Sequence, residues 1–365
     1  MAEIKLETVA KTFGTFSAVK GVDFTVDHGS FFVILGPSGC GKTTTLRMMA
    51  GLELPTSGRI LLDGEDVTAL PASARDIAFV FQLFALYPHM NVRQNIAFPL
   101  RCQNYPRAEI RRSVEETARL LRIDHLLDRR VGGLSGGDRQ RVALGRAIVR
   151  RPKAFLMDEP LGALDSEFRR LMCGELRELH DRIDATTVYI THDQLEAMAM
   201  ADRIAIMNQG RVEQIGTPQE IYDRPASMFV ADFIGAPPMS FLAVQATLQR
   251  GDRSIKVDGA PVEMPQLFED RAEGSFALGV RPENVSFADA SSLRGHVIGA
   301  EYLGTTQIVT VTTANGQIKA RLPSGNTVRV GETVGLALRP DKLSLFDAIS
   351  GLALPSALYA GDRDG

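Results

Sequence analysis

The chain has 365 residues, 44% of them hydrophobic and 23% charged, with a formal net charge of −3. That length suits about two domains, each with its own core, and the balanced charge argues against nucleic acid or an anionic membrane surface as a partner. No run of about 18 apolar residues occurs, so no membrane-spanning helix is expected. The opening Met-Ala-Glu-Ile-Lys-Leu-Glu alternates polar and apolar residues and lacks the apolar core of a signal peptide, so a cytoplasmic protein is expected. Cys40, Cys102 and Cys173 are odd in number and far apart, which fits free thiols better than a disulfide framework or a metal site.

In chain order, Phe31-Phe32-Val33-Ile34-Leu35 reads as a buried strand, and Thr44-Thr45-Leu46-Arg47-Met48-Met49-Ala50 as a helix stopped by Gly51. Ile77-Ala78-Phe79-Val80-Phe81, Ala154-Phe155-Leu156-Met157 and Thr187-Val188-Tyr189-Ile190 read as further buried parallel strands. A helical insert is expected over about residues 90–150, with Ile110, Val114, Ala118 and Leu121 on one face. One helix of that insert is expected from Arg139 to about Arg150. Phe168, Leu171, Leu176, Leu179 and Ile183 form a second apolar stripe. This alternation marks residues 1–235 as a layered α/β domain. Ala236-Pro237-Pro238-Met239 is a linker candidate. Residues 236–365 then change to short alternating segments between turn residues, as in an all-β module. A weak internal repeat lies there: Val280-Arg281-Pro282-Glu283-Asn284-Val285-Ser286 resembles Leu338-Arg339-Pro340-Asp341-Lys342-Leu343-Ser344, and the two units are expected to pair or to build two small barrels.

The chemistry concentrates in a few motifs. Gly36-Pro37-Ser38-Gly39-Cys40-Gly41-Lys42-Thr43 has the spacing of a phosphate-binding P-loop, set between a strand and a helix as that motif requires. Its glycines let backbone N–H groups curl around phosphate, and the helix N-terminus that opens at Thr44 adds partial positive charge. Lys42 is placed to reach the β- and γ-phosphates, and Thr43 to bind Mg²⁺. The strand ending Met157-Asp158-Glu159-Pro160 delivers two acids, Asp158 for the metal and Glu159 to polarise an attacking water. Leu134-Ser135-Gly136-Gly137-Asp138 forms a second helix N-terminus, whose Ser135 hydroxyl and Gly136-Gly137 backbone suit phosphate. Gln82 and His192 each follow a strand and read in isolation as an edge residue and a structural histidine.

Together and in this order these residues resemble the ATP-binding subunit of ATP-binding cassette (ABC) transporters. The resemblance covers residues 3 to about 235, with Walker A at 36–43, a Q-loop glutamine at Gln82 (also a metal ligand) and the signature at 134–138. Walker B lies at 155–158 with Glu159 beyond it, the D-loop is Leu161-Gly162-Ala163-Leu164-Asp165, and the switch histidine is His192. Phe13 falls where the family stacks an aromatic on adenine. The β-rich end is similar to the OB-fold-like (TOBE/MOP-like) regulatory domain of carbohydrate importer ATPases of the maltose and glycerol-phosphate type, through 279–283 and Glu301-Tyr302-Leu303-Gly304. The resemblance implies an ATPase using ATP and Mg²⁺ as a homodimer on the cytoplasmic face of the bacterial inner membrane, each ATP held between one subunit's P-loop and the other's signature. Two membrane permease subunits and, indirectly, a periplasmic or extracellular solute-binding protein are the implied partners. Residues 83–89 are the implied contact with a permease helix. An importer ATPase for a metal-oxyanion, iron or a polyamine, and a soluble non-transport ABC ATPase, are the alternatives. A kinase or GTPase is disfavoured because the signature and His192 would then be unexplained and no Asn-Lys-x-Asp motif appears. Two positions depart from the family pattern: Asp138 stands where Gln is usual, and Gly162 where Ser is common.

Overall fold

A computed structural model describes residues 2–82, 85–162, 164–183 and 185–360. Leu83 and Phe84 of the expected permease contact, and Ala163 of the D-loop, lie outside the described residues. The chain divides into two units, Met1–Pro218 and Gln219–Gly365, so Ala236-Pro237-Pro238-Met239 lies within the second.

In the first unit β1 (Ile4–Phe13) and β2 (Phe16–Val26) precede β3 (Phe31–Leu35), the loop and α1 (Lys42–Met49). Strands β4 (Ser57–Leu62), β5 (Glu65–Asp66) and β6 (Ile77–Val80) follow. The helical insert is α2 (Val92–Cys102), α3 (Arg107–Leu120) and α4 (Gly136–Ile148). The unit continues through β7 (Ala154–Asp158), α5 (Ser166–Ile183), β8 (Thr186–Thr191), α6 (Gln194–Met200), β9 (Arg203–Asn208) and β10 (Arg211–Gly216). Two sheets result. One is antiparallel in the order β2-β1-β4-β5; the other runs β10-β9-β3-β8-β7-β6, parallel throughout except for β10.

All five residues of β3 are buried, as a central parallel strand with covered faces demands. The strands of the antiparallel sheet alternate instead, and their inward Val9, Val19 and Phe24 pack with Phe32 and Ile34 in one core. Phe24 stacks on Phe32 with ring centroids 5.3 Å apart. In the sheet, Leu35 lies opposite Thr191, Asp158 opposite Ile190, and Val80 opposite Met157. The C-terminal ends of β3, β8, β7 and β6 therefore share one edge, where ligands of open α/β sheets bind.

Three sequence expectations shift. The strand expected to reach Phe81 stops at Val80, and Phe81 is 44% exposed, turned out of the sheet edge. The helix expected from Arg139 starts at Gly136, because Ser135 supplies the N-cap and the glycines need no special conformation inside the first turn. Leu171 is 56% exposed; the buried face of α5 is Met172, Cys173, Leu176, Leu179 and His180, about one position round from the expected stripe. The face of α3 follows the reading, with Val114, Ala118 and Leu121 buried.

The second unit takes in α7 (Pro218–Asp223), which begins at the division, and α8 (Met228–Phe233), then antiparallel strands. These are β11 (Ser240–Leu248), β12 (Ser254–Val257), β13 (Ala260–Glu263), β14 (Arg271–Val280) and β15 (Val285–Phe287). After them come β16 (Arg294–Tyr302), β17 (Thr306–Thr313), β18 (Gly316–Pro323), β19 (Thr333–Leu338) and β20 (Ser344–Asp347). The repeat is structural: each copy is a strand, a single 3₁₀ turn (Pro282–Asn284 or Pro340–Lys342) and a strand. The copies pair crosswise, β14 with β20 through Gly279↔Ser344 and β15 with β19 through Val285↔Leu338. Their arginines diverge. Arg281 is buried, stacks 4.0 Å over the Tyr222 ring and donates to the carbonyls of Tyr222 and Ile234, whereas Arg339 is exposed and pairs with Asp341 at 3.1 Å.

Candidate nucleotide site

The loop after β3 closes through glycine. A Cβ at Gly36 would lie 2.2 Å from the Met207 carbonyl oxygen, and Gly41 combines φ of 107° with a would-be Cβ 2.6 Å from the Ala18 carbonyl oxygen. A side chain at either would push the loop off the strands that seat it. Lys42 is buried, donating to the Gly36 carbonyl at 2.8 Å and the Pro37 carbonyl at 3.0 Å, so its ammonium is held inside the loop it closes. The Cys40 sulfur lies inside the same loop, 3.9 Å from the Lys42 ammonium. The Cys40 side chain belongs to the core beside Met207, and burial pushes its thiol up despite the nearby Lys42.

Thr43, at the first turn of α1, donates its hydroxyl to Asp158 Oδ1 at 3.1 Å, linking the P-loop to the end of β7. Burial raises the Asp158 carboxyl and Glu159 raises it further, against the pull of Thr43, Arg47 and Lys42. Glu159 itself has φ of 44°, a left-handed conformation that a β-carbon disfavours. Its amide bonds the Ile190 carbonyl at 3.1 Å. Its Oε2 meets Gln82 Nε2 at 3.4 Å and His192 Nδ1 at 3.2 Å. The three strand ends thus bring Gln82, Glu159 and His192 onto one carboxylate oxygen.

Ser135 caps α4, accepting from the Asp138 amide at 3.2 Å while donating its own proton to Asp138 Oδ2 at 2.7 Å. Arg141 lies 3.9 Å from Asp138 and grips Glu175 with two bonds near 2.9 Å. At Gly137 a Cβ would fall 2.2 Å from the Phe168 ring, so glycine lets α5 pack against the signature turn. Among the described residues, no hydrogen bond joins 135–138 to the P-loop or to the end of β7. Phe13 is 47% exposed at the end of β1, with the Lys11 ammonium 4.9 Å from its ring centroid. The loop at Gly162 has room: a Cβ there would meet nothing nearer than 3.4 Å.

Sequence reasoning missed the groups behind this edge. Arg75 is fully buried and donates to the carbonyls of Met48, Met49, Leu70 and Thr68 at 2.7–3.0 Å, closing the C-terminal end of the P-loop helix. Nothing in the sequence marks it. Glu196 is buried, accepts from the Tyr189 and Thr191 hydroxyls at 2.7 Å each, and is pushed up by burial. Here a signal existed, since Asp193 and Glu196 have the Asp-x-x-Glu spacing of a capped helix start.

A buried parallel strand, a glycine loop on a helix N-terminus and a neighbouring strand ending in acids define a P-loop nucleotide-binding ATPase. Comparison with known families matches residues 19–162 to the ABC transporter domain and residues 278–346 to the TOBE domain. The chain is 44% identical over 354 residues to the sulfoquinovosyl glycerol transport ATP-binding protein SmoE of Agrobacterium fabrum, covering 95% of this chain and 98% of that protein. It is 44% identical to the trehalose/maltose import ATP-binding protein MalK of Thermococcus litoralis, covering 97% and 100%. It is also 44% identical to the sn-glycerol-3-phosphate import ATP-binding protein UgpC of Bordetella avium, covering 92% and 94%. Among solved structures, cbiO1 of Clostridium perfringens, part of the ABC transporter complex cbiONQ, superposes with a TM-score of 0.57 at 29% identity, covering 60% of this chain and 89% of that one. The chain belongs to the ABC transporter ATP-binding proteins and is an ATPase of that family, with a C-terminal TOBE domain.

Proposed function

We propose that this chain drives import of a sugar or a related small polar solute through separate membrane permease subunits, by hydrolysing ATP on the cytoplasmic face of the membrane. The observation that carries the reading is likeness along nearly the whole length, TOBE domain included, to ATP-binding proteins named for trehalose/maltose, sulfoquinovosyl glycerol and glycerol-3-phosphate. Among the described residues no helix is long and apolar enough to cross a membrane, and the reading assigns the path for solute to other subunits. A groove of about 470 Å³ on the first unit supports a permease contact. It is lined by Phe81, Ala85, Tyr87, Phe98, Cys102 and Arg146. Its wall is pinned by the fully buried Asn95, which holds both the Tyr87 amide, at 2.9 Å, and the Tyr87 carbonyl, at 3.2 Å. An amphipathic helix fits such a groove, whose lining mixes aromatic and small apolar residues with Arg146 and Arg150.

Residues 36–41 and Thr44 cradle the phosphates, Lys42 neutralises them, and Phe13 offers its exposed ring to the base. The Thr43 hydroxyl and Asp158 carboxylate, 3.1 Å apart, would hold Mg²⁺, and Gln82, 3.4 Å from Glu159, would be the further ligand. When bound there, the ion would supply charge neutralisation on the phosphates. Glu159 orients and deprotonates the attacking water, while His192 and Gln82 hold the γ-phosphate side. Ser135, Gly136 and Gly137, unconnected to their own P-loop, close the site of a second copy, which makes the working unit a homodimer.

The test is Glu159→Gln. Loss of a general base costs about 10²–10⁴-fold, so hydrolysis should fall by that order while ATP affinity persists and a closed dimer accumulates, read by turnover, nucleotide binding and size-exclusion chromatography. Near-normal turnover removes Glu159 from the role.

A further inference from the structure

Past Asp158 and Ile190 the sheet stops holding together the two segments that carry Glu159 and His192. The ladder between β7 and β8 ends at that pair, and one more backbone bond runs from the Glu159 amide to the Ile190 carbonyl. The contact between the reactive side chains, His192 Nδ1 to Glu159 Oε2, is partly exposed and must rearrange when either group engages substrate. A different side chain bridges the segments from behind. Arg169, in the first turn of α5, donates Nη2 to the Leu164 carbonyl at 2.9 Å and Nη1 to Asp193 Oδ2 at 3.1 Å. Its Nε is buried without a hydrogen-bond partner and faces Glu196 Oε1 at 3.6 Å.

Both neighbours of His192 are tied into this cluster. Thr191 donates its hydroxyl to Glu196 and accepts the Asp193 amide at 2.9 Å. Asp193 spends its other oxygen on the amides of Leu195, at 2.8 Å, and Glu196, at 3.3 Å. A rigid guanidinium fork with one arm on each segment fixes their separation in a way that a single flexible ammonium cannot.

We propose that Arg169 is a positioning residue for ATP hydrolysis: its bridge from Leu164 to Asp193 keeps the His192 turn in register with the segment that leaves Glu159. The proposal rests on the reading above that Glu159 and His192 act on ATP. None of the groups Arg169 touches belongs to the P-loop, so its loss should lower turnover and leave nucleotide affinity alone. A displacement of about 1 Å in a reacting group costs up to about 10²-fold.

The experiment compares wild type, Arg169→Lys, Arg169→Ala, Asp193→Asn and the Arg169→Ala/Asp193→Asn double variant as full-length chains, by steady-state ATP hydrolysis and by binding of a fluorescent ATP analogue. The expected result is a kcat about tenfold or more below wild type in each Arg169 variant, an unchanged dissociation constant, and a double variant no slower than Arg169→Ala. Should Arg169→Ala fail to fold, Arg169→Lys and Asp193→Asn, whose Asn still caps α6, carry the test. Wild-type kcat in folded Arg169→Lys, losses that multiply in the double variant, or a parallel loss of affinity would each overturn the proposal. Glu159→Gln measured alongside separates the two readings. Its wild-type turnover would overturn the site and the proposal together; its inactivity beside a wild-type Arg169→Lys overturns the positioning role alone.

Discussion

Asp138 shows how one substitution changes the duty of its neighbour. At the third position of α4 a Gln can reach back to the Ser135 amide and complete a capping box. The shorter Asp138 instead takes the Ser135 hydroxyl proton at 2.7 Å. Its charge gains roughly 0.3–1 kcal/mol from the helix dipole, while a hydroxyl held by its own carboxylate is less ready to donate to phosphate. Asp138→Gln is therefore expected to leave stability within about 1 kcal/mol and to raise ATP affinity or turnover modestly; thermal melts and steady-state kinetics check both, and lower activity would give Asp138 a positive role. The cysteines are separable at the same scale. Cys102 is exposed, Cys40 is buried with its thiol pushed up, and burial pushes Cys173 up to about 12. Alkylation at neutral pH should modify Cys102 first and leave ATP binding intact, as peptide mass mapping against residual affinity will show. Fast loss of binding that Cys102→Ser does not prevent but Cys40→Ser does would place the reactive thiol in the P-loop.

Between elements, polar contacts set geometry that apolar packing leaves loose. His180 on α5 bonds Thr187 Oγ1 of β8 at 3.0 Å and the Gly29 carbonyl at 3.2 Å, with its ring edge-on to Phe31. Burial, with help from Arg177, lowers its pKa below the usual 6.5. The unfolded chain then binds the extra proton first, so this site's contribution falls as pH drops through about 6.5 toward the lower folded value. The stability difference between wild type and His180→Gln should shrink between about pH 7 and 5; melts that keep it constant would show that His180 takes up its proton equally in the folded and unfolded chain. Elements of this kind divide by legibility. The strand at Phe31–Leu35 was readable because an unbroken apolar run between turns has few other uses. The glycine turn before α1, the strand end carrying Asp158 and Glu159, and the helix start at Ser135 were readable in their placement because each is spelled within a few residues. Phe81 and Leu171 were misread because hydrophobicity alone does not say which way a strand end or helix face turns. Arg75 and Arg169 were silent because their partners come from other elements, which only the fold assembles; Glu196 was marked only by its spacing from Asp193, which gives no hint of the Tyr189 and Thr191 hydroxyls it accepts from.

At the scale of the molecule, the two units differ in how their parts depend on one another. The first unit's candidate nucleotide groups lie within residues 13–192. In the second, β14 needs β20, and β15 needs β19. A chain ending at residue 343 lacks β20 and the bridges from Leu352 and Ser356. It should lose the second unit's protease resistance while retaining ATP affinity, and limited proteolysis with nucleotide titration tests this; a resistant second unit would show that the crossed pairing is dispensable. The crossed pairing also orders events on the ribosome. As the chain emerges, β14 and β15 appear long before the strands that complete them, so neither copy of the repeat can settle by itself. The nucleotide-binding half can be in place while the TOBE half still waits for its final residues, and a ribosome that stalls late would release a subunit able to hold ATP yet carrying open strand edges, ready to aggregate or be degraded.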